Sequence, residues 1–130
     1  MQVNGLNHIN IVTADMARTV EFYESVLGMS AAVIPAVMPG FEGRWISDSQ
    51  GQPIIHVQAY NPDRHETRPG GTNGTIDHIA LTCADFEGTK RRCEELGVDY
   101  RVNDRQFGDL RQVFITDPNE IRLELNFAGD

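Results

Sequence analysis

The chain has 130 residues, of which 40% are hydrophobic and 23% are charged, and its formal net charge is −8. These proportions are typical of a globular protein in water, and no run of about 20 apolar residues predicts a membrane-spanning helix. The acidic balance, with a pI near 4.8, argues against nucleic acid and anionic membranes as partners, because clustered lysine and arginine bind both.

The opening segment MQVNGLNHIN lacks the basic start and the apolar run of a signal peptide, so the sequence predicts a cytoplasmic protein. The two cysteines, Cys83 and Cys93, have the spacing of neither a zinc site nor a redox pair. We interpret both as small buried hydrophobic residues.

The chain contains an internal repeat. Asn7-His8-Ile9 returns as Asp77-His78-Ile79, and the correspondence continues through Asp15 and Asp85 to a Leu-Gly pair in each copy. Each half alone is too short to bury an adequate core. We therefore predict one domain, residues 1–130, made of a first module at about 4–61, a linker at 62–75 and a second module at 76–128.

Each half has the pattern of a strand, a helix and three further strands. Asp15 and Asp85 are N-cap candidates, and Gly28 and Gly97 are typical of the left-handed residue that ends a helix. The fold class predicted is α+β, with two tandem βαβββ modules whose mixed sheets form a cup-shaped half-barrel cleft. The predicted strands are 6–13, 29–37, 41–47 and 54–60, then 76–83, 98–103, 110–116 and 121–127.

One face of the predicted sheets is polar. Residues two apart in a strand share a face, and the opposite face is apolar, as expected of a sheet that packs on helices. Unpaired polar groups are costly to bury, so the polar face should line water or a ligand. The candidate pocket residues on it are Asn10, Gln58, Tyr60 and Asn126, and Phe114 is a further candidate as an aromatic residue that could shape the pocket.

Four residues at repeat-equivalent positions are candidate metal ligands. They are His8 and His78 in the opening strands and His56 and Glu124 in the closing strands. Imidazole and carboxylate together suit a divalent ion, and Fe, Ni, Zn, Mn and Co all remain open. We predict one such ion per site. His65, in the linker, is interpreted as a solvated loop residue.

Arg44 and Arg111 precede comparable strands. They are interpreted either as anchors for an anionic group or as members of surface salt bridges.

These features resemble the vicinal oxygen chelate superfamily, which includes glyoxalase I, extradiol dioxygenases and bleomycin resistance proteins. The likeness rests on the histidine in LNHINIVT and IDHIALT, the helix ending in Leu-Gly and the terminal DPNEIRLEL, and it covers nearly the whole chain. It implies metal ligands at His8, His78 and Glu124, a fourth ligand position at His56, and a homodimer. The superfamily has Gly where this chain has Glu120, so we expect strain in that turn.

The resemblance implies a divalent-metal-dependent enzyme that acts on a small oxygenated substrate. Four protein ligands leave two positions on a six-coordinate ion, which suits a chelated enediolate. We therefore favour a glyoxalase I-like lyase or isomerase with Glu124 as the catalytic base. Extradiol ring cleavage is the alternative, although it needs a third open position and Phe114 stands where those dioxygenases have a tyrosine. A bleomycin-resistance-like ligand-binding protein is the third interpretation.

Overall fold

The computed structural model of the chain describes residues 1–36, 38–66, 68–70 and 73–129, and of residues 106 and 107 it describes only the backbone. The chain divides into two compact units, unit 1 at Met1–Pro69 and unit 2 at Gly70–Asp130. Within the described ranges, no helix has both the length and the apolar character needed to cross a membrane. The single-domain organisation stays a prediction.

Unit 1 holds one helix and a four-stranded mixed sheet. The sheet order is β1-β4-β3-β2, in which β1 runs parallel to β4 and the other neighbours are antiparallel. The elements are β1 (Ile9–Thr13), α1 (Met16–Ser25), β2 (Ser30–Ile34), β3 (Gly43–Ser47) and β4 (Pro53–Ala59).

Unit 2 repeats this arrangement with the sheet order β5-β8-β7-β6, and β5 is again parallel to its neighbour β8. The elements are β5 (Ile79–Thr82), α2 (Phe86–Leu96), β6 (Arg101–Phe107), β7 (Leu110–Thr116) and β8 (Arg122–Ala128). The predicted α+β class and the two tandem βαβββ modules are confirmed.

Both helices begin as the sequence predicts. An Asp15 oxygen accepts from the Arg18 N–H at 3.0 Å, and an Asp85 oxygen accepts from the Gly88 N–H at 2.9 Å. Gly97, with φ of 66°, is the C-cap of α2. The corresponding prediction for Gly28 was only partly right. Gly28 is left-handed, but α1 ends earlier and its C-cap is Val26.

The predicted opening strands, 6–13 and 76–83, are too long, because pairing starts at Ile9 and Ile79. At these positions Ile9 faces Ile55 of β4 and Ile79 faces Leu123 of β8. His8 and His78 therefore lie immediately before the strands rather than inside them.

The apolar face of each sheet is buried as predicted. The least exposed hydrophobic strand residues, all at 4% or below, are Ile11, Ile46, Ile55, Val57, Val113, Ile115, Leu123, Leu125 and Phe127. Tyr23 of α1 is fully buried in unit 1, and Phe86 of α2 meets Phe127 edge-on at 5.5 Å between ring centroids. The opposite face of each sheet carries polar side chains together with Trp45 and Phe114, and it holds the candidate site.

The cysteines behave as small apolar residues. Cys93 is fully buried and Cys83 is half-buried, and both are free thiols. Burial raises the pKa of both thiols above the ordinary value, so neither is a ready nucleophile.

The β7–β8 turn carries the expected backbone strain at Glu120. An Asp117 oxygen accepts from the N–H groups of Asn119 and Ile121, and Glu120 sits at φ of 65°. In the equivalent β3–β4 turn the left-handed residue is Gly51. A side chain at positive φ is unfavourable for any residue with a Cβ, so the second turn carries a cost that the first avoids.

Replacing Glu120 with glycine is expected to raise the free energy of unfolding by about 1 kcal/mol, because it relieves the left-handed strain. The Glu120 carbonyl keeps its hydrogen bond from Asn73, since only the side chain changes. Urea denaturation followed by circular dichroism measures the gain. Glu120→Ala is the matched control: it removes the same carboxylate but keeps the Cβ, so it should gain little. Equal stabilisation by Glu120→Gly and Glu120→Ala would contradict the inference that the left-handed backbone at Glu120 is strained.

Candidate metal centre

In unit 1 the polar face brings together residues from three adjacent strands. Asn10 of β1 and Trp45 of β3 are the direct neighbours of His56 in β4. The Asn10 amide Nδ2 lies 3.3 Å from His56 Nδ1. His8 lies one residue before β1, and its ring is next to those of Trp45 and His56. The predicted proximity of His8 and His56 is thus present within unit 1.

Three rings form a compact cluster there. Trp45 stacks on His56 with ring centroids 4.6 Å apart, and His8 meets Trp45 edge-on at 5.0 Å and His56 at 6.1 Å. His8 Nδ1 lies 2.6 Å from the Asn7 side-chain oxygen, which can only accept. Nδ1 is therefore the protonated nitrogen of His8, and Nε2 carries the lone pair that a cation requires.

His56 has an orphaned nitrogen. Its Nε2 is buried and has no hydrogen-bond partner among the described residues. Burial, and to a smaller extent His8, lower the pKa of His56 below the 6.5 of an unperturbed histidine. A lowered pKa favours the neutral ring at neutral pH, and the neutral ring is the form that binds metal ions. Turning the Asn10 amide would give Nδ1 an oxygen to donate to and leave Nε2 as the lone-pair nitrogen.

The interpretation of His65 as a solvated loop residue was wrong. Its Nδ1 accepts from the Asn61 backbone N–H at 3.0 Å, so its Nε2–H donates to the Gln58 side-chain oxygen at 3.1 Å. The ring also stacks beside Tyr60 at 6.2 Å. His65 therefore holds two predicted pocket residues, Gln58 and Tyr60, from the segment that follows β4. Its position only a few residues beyond that strand was the signal available in the sequence.

In unit 2 the predicted ligands meet directly. His78 Nε2 and Glu124 Oε2 are 2.9 Å apart, while His78 Nδ1 lies 2.8 Å from Asp77 Oδ2. Asp77 is in turn 3.3 Å from the Arg122 guanidinium. The His78 hydrogen bond, followed by Arg122, lowers the pKa of Asp77, so this carboxylate stays ionised and orients the imidazole. Asn7 and Asp77 thus serve their histidines in the same way.

Gln112 completes the surroundings of Glu124 and was missed by the sequence analysis. This side chain of β7 is 7% exposed, and its Nε2 donates to Glu124 Oε1 at 2.7 Å and to Asn126 Oδ1 at 3.0 Å. Phe114 of β7, the Cα partner of Glu124, lies on the same face under the Arg101 guanidinium at 4.4 Å. Of the predicted pocket residues, Phe114 and Asn126 therefore border the ligand pair of unit 2.

The two arginines considered as anion anchors are engaged locally. Arg44 pairs with Glu42 at 3.5 Å and donates to the Gly43 carbonyl. Arg111 lies 4.2 Å from the ring centroid of Phe86 and 3.9 Å from Glu87 of α2. Strand alternation puts both on the face opposite His56 and Glu124, so the salt-bridge interpretation is the one that the structure supports.

Each unit brings two ligand-type residues together: His8 with His56 and His78 with Glu124. Across the described part of the chain, no group of three or more His, Cys, Asp or Glu side chains is assembled for a metal ion. The pair in unit 2 nevertheless fits a cation. A separation of 2.9 Å is close to the ~3.0 Å between adjacent ligands that bind one six-coordinate ion at ~2.1 Å. A carboxylate oxygen can only accept, so the proton shared by His78 Nε2 and Glu124 Oε2 belongs to the imidazole. A cation can take the place of that proton and bind both atoms.

The sequence over residues 5–125 matches the family model for the Glyoxalase/Bleomycin resistance protein/Dioxygenase superfamily. The chain belongs to this superfamily. The resemblance drawn from the opening histidines and the DPNEIRLEL segment is thereby confirmed. Membership in the Glyoxalase/Bleomycin resistance protein/Dioxygenase superfamily does not fix the reaction, because one fold supports several chemistries.

Individual relatives in this superfamily differ in activity. Glyoxylase I 4 of Arabidopsis thaliana is 25% identical over 127 residues, which cover 96% of this chain and 71% of that protein. Metallothiol transferase FosB of Staphylococcus haemolyticus (strain JCSC1435) is 27% identical over 129 residues, which cover 95% of this chain and 84% of that protein. The solved structures include a mutant of the fosfomycin resistance protein FosX from Listeria monocytogenes, complexed with Mn(II) and 1S,2S-dihydroxypropylphosphonic acid. It matches with a TM-score of 0.72 at 17% identity, covers 99% of this chain and 95% of its own, and shows the shared fold.

Proposed function

We propose that the chain is a divalent-metal-dependent enzyme with lyase or isomerase activity on a small oxygenated substrate. The proposed ligands of one ion are His8, His56, His78 and Glu124. The observation that carries the proposal is the 2.9 Å contact of His78 with Glu124, supported on both sides by Asp77 and Gln112. His56 Nε2 supports the proposal as well, because it is a buried nitrogen that has no hydrogen-bond partner among the described residues.

The proposed chemistry is removal of a proton next to a substrate carbonyl. When bound, a divalent ion would supply the Lewis acidity that stabilises negative charge on substrate oxygens. Glu124 is the proposed base, acting through Oε2 when that oxygen is not bound to the ion, because Gln112 holds the other carboxylate oxygen, Oε1. Amide and aromatic side chains are proposed to orient the substrate. They are Asn10, Gln58, Tyr60, Phe114 and Asn126.

Two further assignments accompany this function. We propose a homodimer, as the superfamily resemblance implies, and a cytoplasmic location. Light scattering of the purified chain tests the first, with twice the chain mass as the expected result.

Metal content and turnover test the proposed function together. The purified chain, incubated with Mn(II), Fe(II), Ni(II) or Zn(II) and then desalted, should retain about one ion per chain by elemental analysis. The loaded protein should convert a hemithioacetal of methylglyoxal without consuming oxygen. Failure to retain any of the four ions would overturn the enzyme proposal and favour a ligand-binding protein. Cleavage of catechol in air by the Fe(II) form would instead favour the dioxygenase.

A further inference from the structure

We propose that Gln112 restricts Glu124 to binding a metal ion through a single oxygen, and so keeps one coordination position open for substrate. This inference rests on the proposed function, since it concerns one of the proposed ligands. A carboxylate can bind a cation through one oxygen or through both. The binding mode of a carboxylate, through one oxygen or through both, depends on the other groups that contact its oxygens.

The orientation of the Gln112 amide follows from its partners. Glu124 Oε1 can only accept, so the group 2.7 Å from it must be the amide NH₂ of Gln112. The same NH₂ donates to Asn126 Oδ1 at 3.0 Å. The Gln112 oxygen accepts from Asn103 Nδ2 at 3.3 Å. Both N–H groups and the oxygen of Gln112 are therefore engaged, and the buried amide cannot turn without breaking all three contacts.

This arrangement treats the two oxygens of Glu124 differently. Oε1 is held by Gln112, while Oε2 faces His78 Nε2 at 2.9 Å. A cation bound to both oxygens would lie closer to the partly positive NH₂ of Gln112, which repels it, and the hydrogen bond already draws electron density from Oε1. Glu124 is thus prepared to offer Oε2 alone to a cation beside His78.

The repeat shows that this amide is specific to the second module. The two sheets have matching registers, in which Gly43 faces Gln58 as Gln112 faces Asn126. In the first module the amide that touches the closing-strand ligand comes from Asn10 on β1 instead. The position equivalent to Asn10 in the second module holds the small residue Ala80.

The two modules therefore support their ligands with amides from opposite sides, and each has a small residue where the other has its amide. A neutral His56 has one lone pair to offer once the Asn10 amide fixes its tautomer, whereas Glu124 has two oxygens that can both bind. An amide on β7 is placed to distinguish between those oxygens, which explains why it occurs beside Glu124.

The test counts water molecules on bound Mn(II) by water-proton relaxation in wild type and in Gln112→Met. The variant has nearly the same shape but no NH₂, so Glu124 is free to bind through both oxygens. The number of exchangeable waters on Mn(II) should fall to about half, because one of the two open positions on a six-coordinate ion is lost. Asn103→Ala, which removes a partner of Gln112 but none of Glu124, should keep the wild-type count.

An unchanged water count in Gln112→Met at full Mn(II) occupancy would overturn the inference, whatever the change in affinity. A purely structural role of Gln112 would alter stability but not this count. Gln112→Asn serves if the methionine variant does not fold, because its shorter amide stays polar and cannot reach Glu124. Wild-type protein that binds no Mn(II) under any condition would overturn both the inference and the proposed function.

Discussion

Replacing Glu124 with glutamine is expected to weaken divalent metal binding by more than about 100-fold, beyond the loss typical of outer-shell partners. The substitution removes the only negative charge among the four proposed ligands. It also reverses the local hydrogen bonds, because the Gln112 NH₂ at 2.7 Å demands an acceptor. The new amide must turn its oxygen toward Gln112, and its own NH₂ then faces His78, where it cannot bind a cation.

Titration with Mn(II) or Zn(II) in competition with a chromophoric chelator measures this loss. Glu120→Gln is the matched control, since it removes the same charge from the same unit at an exposed turn. Its affinity should stay within about twofold of wild type, because an exposed charge is screened by salt. A Glu124→Gln protein that is folded by circular dichroism and binds metal within about threefold of wild type would remove Glu124 from the ligand set.

The parts of the structure predicted correctly are those that depend on the alternation of apolar and polar residues along a strand and on the internal repeat. Alternation along β4 and β8 identified the buried face, and the correspondence of the two copies identified His56 and Glu124 as equivalents. Their registers agree, since Asn10 faces His56 as Ala80 faces Glu124. A duplicated sequence carries this information twice, so a polar residue at the same place in both copies is strong evidence of a shared role.

The parts that the sequence did not predict depend on contacts between segments. The amide of Gln112 reaches Glu124 only because β7 and β8 pair in one particular register. The sequence of either strand alone does not specify that register. His65 returns to Gln58 through a turn that begins at Asn61, in a segment whose polar composition suggested only solvent exposure. The starts of β1 and β5 were predicted too early, because the residue at which pairing begins depends on the register with the partner strand.

Replacing His56 with alanine is expected to weaken metal binding by about 30-fold, which corresponds to ~2 kcal/mol at 1.4 kcal/mol per factor of ten. The loss is smaller than for Glu124 because a neutral ligand is removed and the charge of the site is unchanged. Trp45, the single tryptophan, stacks on His56 at 4.6 Å and provides a second signal. Bound Ni(II) should quench its fluorescence in wild type, and the Ni(II) concentration at half-quenching should rise by the same factor in the variant.

His65→Ala is the control for this experiment, because it removes an imidazole of the same unit that contacts Gln58 and Asn61 rather than a proposed ligand. Its metal affinity should remain within about twofold of wild type. If His56→Ala binds metal as tightly as wild type, the ligand set is reduced to His8, His78 and Glu124. Two histidines and one carboxylate leave three positions open on a six-coordinate ion, enough for both oxygens of a catechol and for dioxygen. That result would make ring cleavage the better assignment, and oxygen uptake by the Fe(II)-loaded protein with catechol would then be the decisive measurement.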